Sequence, residues 1–130
     1  MSLFVDSNIF IAIVTDDTDR SETARELLNS DRRFYSSIYS LMEVRNVLAT
    51  KYRFKRERIE EIERRIRTYA DPVTHSSMLI QTADSIQEDT YVTAMDAIML
   101  ASAEHIDGTL VTFDTELHRH GAKPPEEFLT

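Results

Sequence analysis

Four acidic residues stand where carboxylates could act together: Asp6, Glu43, Asp96 and Asp114. Asp6 and Asp114 each follow directly on a short apolar run, "LFV" and "TLVTF". Glu43 and Asp96 each open a segment of helical apolar spacing, "SLMEVRNVL" and "AMDAIMLASAEHI". Carboxylates brought together repel one another, so their pKa values rise or a cation is required. Oxygen-rich clusters select hard dications such as Mg2+ or Mn2+. One or two such ions can activate a water and stabilise the leaving oxygen of a phosphodiester. Rival chemistries lack their residues. Cys is absent, which excludes thiol catalysis, disulfides and Cys-based zinc sites. His75, His105, His118 and His120 have no nucleophile partner at a recognisable spacing.

The elements that must position these acids follow from apolar periodicity. Strands are predicted at 3–5, 33–37 and 109–113, with a short extended piece at 73–75. Helices are predicted at 8–14, 19–29, 40–52, 55–69, 76–88 and 94–106, and a short one from 114 to 118. Ile59, Ile62, Ile66 and Tyr69 share helical spacing, Pro72 stops that helix, and Gly108 caps the apolar helix before the last strand. Strands alternating with helices imply a parallel sheet covered on both faces.

In such a sheet Asp6 and Asp114, at strand ends, lie on the carboxyl edge. Glu43 belongs to the first turn of a helix leaving that edge, and Asp96 to the first turn of a helix that feeds a strand and so begins there. All four are therefore expected on one edge, where ligands of open α/β sheets bind. Each acid has a plainer reading. Ser40 and Glu43 form a capping-box pattern, Thr93 and Asp96 a looser one, and Asp114 can cap the last short helix. Independent caps need not converge on one edge, which favours a shared site.

Composition frames the rest. A chain of 130 residues with 42% apolar content is read as one domain, residues 1–130, with a substantial core. No apolar run approaches the roughly 18 residues of a membrane span, and no secretion signal is evident, which fits a cytoplasmic protein. Net charge is −8, but residues 51–67 hold eight basic and four acidic residues. That segment is the candidate polyanion contact. Lys51, Arg53, Lys55 and Arg56 at its start are the expected contacts to such a polyanion, while the later Glu and Arg residues read as paired helix surface. Arg45 reads either as a group reaching the site or as solvated surface. "HRH" at 118–120 reads as a solvated tail, and Met42, Met95 and Met99 as core.

"FVDSNIF", "SLMEVRNVL" with Asn46, "MDAIMLASA" and "LVTFD", in this order, resemble the PIN-domain ribonucleases, in particular the VapC-like toxin branch. The resemblance runs from Phe4 to Asp114. It implies a three-layer α/β/α fold with a parallel sheet of four or five strands. It also implies RNA cleavage with Mg2+ or Mn2+ held by Asp6, Glu43, Asp96 and Asp114, with Asn8 and Thr112 in support through hydrogen bonds. A homodimer and an inhibitory antitoxin partner are implied too. Ser7 stands where many members have Thr, and the acidic charge is unusual for an RNA binder. A PIN-like module that binds RNA or protein without cleaving, and a housekeeping nuclease, are the alternatives. Receiver-type signalling domains and haloacid-dehalogenase-like phosphatases rank lower. Asn8 stands where a second acid is needed, and a receiver would also need a Lys after its last strand.

Overall fold

The computed structural model describes residues 2–16 and 18–129. Its centre is a four-stranded parallel sheet in the order β3-β2-β1-β4. The strands are β1 (Ser2–Val5), β2 (Arg33–Ser37), β3 (Ala70–Val73) and β4 (Thr109–Val111). Between β1 and β2 run α1 (Ser7–Val14) and α2 (Thr18–Leu28). Between β2 and β3 run α3 (Ile38–Thr50) and α4 (Arg56–Tyr69). The return to β4 uses α5 (Ser77–Thr90) and α6 (Ala94–His105), and α7 (Thr115–His118) follows it.

The chain steps from β1 to β2 to β3 in one direction and then jumps back to the far side of β1. Crossovers between parallel strands are right-handed, so reversing direction moves the helices to the other face. The two cores match this. Leu3, Val5 and Phe34 pack with α1 to α4, while Phe4, Leu110 and the half-buried Tyr35 pack with α5, α6 and α7. Alternation along each strand thus feeds two layers of helices. This is the expected three-layer α/β/α sandwich. Beyond β4, Lys123 forms one isolated bridge to Val111, the vestige of a fifth strand.

Several local expectations are corrected. Pro72 does not stop α4, which ends at Tyr69. It lies inside β3, which begins three residues earlier than the predicted 73–75. β3 pairs only with β2, and an edge strand tolerates a missing N–H. Tyr69 is 40% exposed, and Met42 is 51% exposed because Leu41, Val44 and Leu48 define the inward face of α3. The left-handed residue that ends α6 is Asp107, not Gly108. Gly108 is required for a different reason: a Cβ there would lie 2.6 Å from the Ser2 carbonyl oxygen. Among the described residues, no helix is long and apolar enough to cross a membrane.

Candidate active site

The switch point of the sheet is the crevice between the ends of β1 and β4, the place where open α/β sheets bind ligands. Asp6 stands there. Its backbone N–H donates to the Val111 carbonyl at 3.0 Å, which locks the end of β1 to β4. It takes the N-cap position of α1 but makes no side-chain cap bond. Its carboxylate turns instead to Thr112, whose hydroxyl donates to Oδ2 at 2.7 Å.

Thr112 is fully buried, and its hydroxyl is saturated. Oγ1 accepts from Asn8 Nδ2 at 2.9 Å and from the Asp114 N–H at 3.1 Å. With both lone pairs taken, its one proton must go to Asp6. Asn8 Oδ1 also accepts the Phe113 N–H at 3.3 Å. Asn8 and Thr112 therefore brace Asp6 and the start of the Asp114 turn together.

On its other side Asp6 meets Ser7, which is buried. The Ser7 hydroxyl contacts Asp6 Oδ1 at 3.3 Å and donates to Glu43 Oε1. Glu43 lies in the second turn of α3, not the first. Ser37 caps that helix by accepting the Tyr39 N–H at 2.9 Å. Ser40, expected as the cap, is buried and donates to Met99 Sδ at 3.3 Å. That contact ties the first turn of α3 to α6. Asp96 and Asp114 keep their expected caps: Thr93 Oγ1 accepts the Asp96 N–H at 3.2 Å, and Asp114 Oδ1 accepts the Glu116 N–H at 2.9 Å.

The acids feel one another. Burial pushes the Asp6 carboxyl up to about 6; the Thr112 bond opposes this, and Glu43 and Asp96 add repulsion. Burial also raises Asp96. The Thr93 bond offsets part of this rise, and Asp114, Glu43 and Glu116 add to it. Ion pairs among the described residues involve Asp16, Asp71, Glu60 and Glu63, and none reaches the four edge acids. The structure thus brings Asp6, Glu43, Asp96 and Asp114 into electrostatic reach without a basic partner.

All the donors are oxygens, which suits a hard dication. No three His, Asp or Glu side chains among the described residues close around a common point. As arranged here, the carboxylates do not by themselves close a metal cage.

The basic quartet is not brought to this edge. Lys51 and Lys55 flank the turn between α3 and α4, Arg53 sits within it and Arg56 opens α4. Lys51 lies eight residues beyond Glu43, about 12 Å along the helix. Arg45 is held by Glu63 through bonds of 2.7 and 2.8 Å, so it does not reach the acids. A cleft of about 480 Å³ opens elsewhere, floored by Phe10, Ile13, Leu28 and Ile62 and rimmed by Arg25, Arg58 and Arg65.

Sequence reasoning missed three residues. Ser7 links two carboxylates, and its position next to Asp6 was the available signal. Glu116 adds charge near Asp96 from two residues past Asp114. His118 is half-buried, with Nε2 2.9 Å from the Thr112 carbonyl oxygen, so it is not a solvated tail residue. The fold-back that places it had no sequence signal.

A family model described as PIN domain matches residues 3–123. The chain belongs to the PIN-domain family. No curated protein sequence matches it. Solved structures similar in fold include a toxin–antitoxin complex from Klebsiella pneumoniae, at 24% identity and TM-score 0.71, with 89% of this chain and 88% of that one covered. VapBC2 from Rickettsia felis, bound to a promoter DNA fragment, matches at 15% identity and TM-score 0.74 over 93% of each chain. VapC20 of Mycobacterium tuberculosis, described as a Sarcin-Ricin loop cleaving toxin, matches at 19% identity and TM-score 0.77 over 93% and 96%. At these identities the likeness to this PIN domain is one of fold.

Proposed function

We propose that this PIN domain is a divalent-cation-dependent endoribonuclease of the VapC kind, the toxin of a toxin–antitoxin pair. The observation that carries the reading is the gathering of Asp6, Glu43, Asp96 and Asp114 at the switch point with no basic partner among the described residues. Family membership and the fold shared with toxin–antitoxin proteins support it.

Asp6, Glu43, Asp96 and Asp114 would hold Mg2+ or Mn2+, which when bound supplies charge neutralisation and an activated water. The protein's own contribution is orientation. Thr112 and Asn8 fix the Asp6 carboxylate, and Ser7 sets its spacing from Glu43. With its carboxyl raised to about 6 by burial, Asp6 would bind the cation in competition with a proton. Lys51, Arg53, Lys55 and Arg56 would meet phosphates of the RNA away from the scissile bond. An antitoxin and a second copy of the chain are the proposed protein partners.

Purified protein incubated with RNA should cleave it with Mg2+ or Mn2+ and stop when EDTA is added. Asp6→Asn and Asp96→Asn should each abolish cleavage with an unchanged circular dichroism spectrum. Cleavage that survives chelation, or survives both substitutions, would reject the mechanism. One observation favours a second reading, a binding module that does not cleave: no three acidic or imidazole groups among the described residues close around one point. Titration with Mn2+ separates the two, because a module without a metal site shows no saturable binding into the millimolar range.

A further inference from the structure

The carboxyl edge carries a second constructed feature, beside the acids and not used by them. Tyr39 and His75 stack with ring centroids 4.9 Å apart and planes 22° from parallel. Tyr39 lies in the first turn of α3, just past the end of β2. His75 lies two residues past the end of β3. Both therefore stand at the same edge of the sheet as the acids. One buried hydroxyl ties them: Ser37 Oγ accepts the Tyr39 N–H at 2.9 Å and lies 2.8 Å from His75 Nε2. The Ser37 hydroxyl has one proton and a second lone pair left, so it pairs with Nε2 in either tautomer of the His75 ring. Burial lowers the His75 pKa, in keeping with a neutral ring.

The pair is fixed but not covered. Tyr39 is 38% exposed, and His75 is half-buried. Tyr39 also precedes Glu43 by four residues, so the two are neighbours on the α3 surface, about 6 Å apart at Cβ. An exposed aromatic held flat by a second ring, one helical turn from an acidic site, has the shape and chemistry of a surface for planar rings. Single-stranded RNA is recognised by stacking of unpaired bases on such side chains.

We propose that the Tyr39–His75 stack is a nucleobase platform that seats one unpaired base next to Glu43. It would help choose which phosphodiester enters the acidic crevice. This deepens the nuclease reading and rests on it. The platform prefers a base by its π-face, so it selects single-stranded over paired RNA with little preference for sequence.

The chain contains no Trp, so Tyr39→Trp introduces a unique fluorophore at the platform. In an Asp96→Asn background, which blocks turnover, its emission should be quenched by a hexaribonucleotide. A hexamer of abasic ribose phosphates should leave it unquenched. In the otherwise native chain, Tyr39→Leu should raise KM for single-stranded RNA roughly tenfold, with kcat within threefold. Tyr39→Phe keeps the ring and should restore the native KM. Equal quenching by the abasic hexamer, or a native KM in Tyr39→Leu, overturns the platform while leaving the nuclease reading intact. Conversion from dimer to monomer by Tyr39→Leu, with RNA affinity unchanged, overturns it in favour of a protein interface. A native chain that neither binds nor cuts any RNA defeats the nuclease reading, and the platform falls with it. Matching melting curves for Leu and Phe exclude a folding defect as the cause of a raised KM.

Discussion

Two regions of this PIN domain hold dense charge and treat it in opposite ways. On the outer surface of the α3–α4 pair, charges of both signs are interspersed and several have a companion. Arg45 forks onto Glu63, Arg56 approaches Glu60, Arg58 lies 4.0 Å over the Phe54 ring and Lys51 lies 5.4 Å over Tyr52. At the switch point the charges share one sign, and among the described residues their hydrogen-bond partners are hydroxyls and backbone N–H groups, with no ion pair. Compensated charge at a surface explains itself through solubility and small pairing energies, typically below 1 kcal/mol each. Uncompensated charge in a half-buried crevice raises the free energy of the fold and persists where a ligand repays it. The contrast separates a site from a surface better than any single residue type does.

The sharpest way to break this contrast is to neutralise one member of each region. Asp96→Asn should lower cleavage on the order of a thousandfold in a single-turnover assay. Arg45→Ala should leave cleavage within twofold, and comparable losses from both would erase the distinction. Next in size is Thr112→Val, which preserves volume but removes three hydrogen bonds. Cleavage should fall roughly 10- to 100-fold, and urea melts should show a loss of roughly 3 kcal/mol.

The pH dependence of stability gives a third check. The folded Asp6 carboxyl titrates at about 6, above its ordinary 3.8. The folded chain therefore binds the proton more tightly than the unfolded chain. Stability then falls as pH rises from about 4 to 6, and the ionised group destabilises the neutral-pH fold by about 3 kcal/mol. Asp6→Asn should raise the melting temperature at pH 7 and flatten the profile between pH 4 and 6. A melting temperature at pH 7 below the native value would contradict the cost assigned to burying an ionised Asp6 among other acids. Mn2+ should raise the native Tm more at pH 7 than at pH 5, because only the ionised cluster binds it well.

The smallest effects belong to the basic turn. Replacing Lys51, Arg53, Lys55 and Arg56 together by Gln should weaken RNA binding. It should also reduce the slope of log affinity against log salt by roughly 3, with kcat unchanged. A loss of kcat instead would place that turn at the scissile bond.

Much of this arrangement was legible in the residues themselves. Asp6 and Asp114 follow apolar strands, and a strand's end fixes an edge regardless of what packs around it. Asp96 was legible for the complementary reason, since its helix must finish where β4 begins. Glu43 was placed on the right edge for partly wrong reasons. Ser40 carries the cap pattern, but Ser37, the last residue of β2, takes the cap first and shifts Glu43 into the second turn. β3 was misplaced because Pro72 reads as a stop, and only pairing reveals an edge strand that tolerates it. Met42 looked like core because its type outweighed its angle on the helix. The bracing by Ser7 and His118 and the stack of Tyr39 on His75 join residues 36, 6 and 36 positions apart in sequence. Such contacts depend on tertiary placement that no local pattern records.

Neither flank of the sheet is an open template for another strand. Pro72 removes a donor from the rim at β3, and on the opposite rim Lys123 already bonds to Leu110 and Thr112 through backbone groups. Growth of this molecule into a larger assembly by ladder extension is thereby discouraged at both margins. Helical faces and the carboxyl-edge crevice are left as the surfaces open to a companion chain.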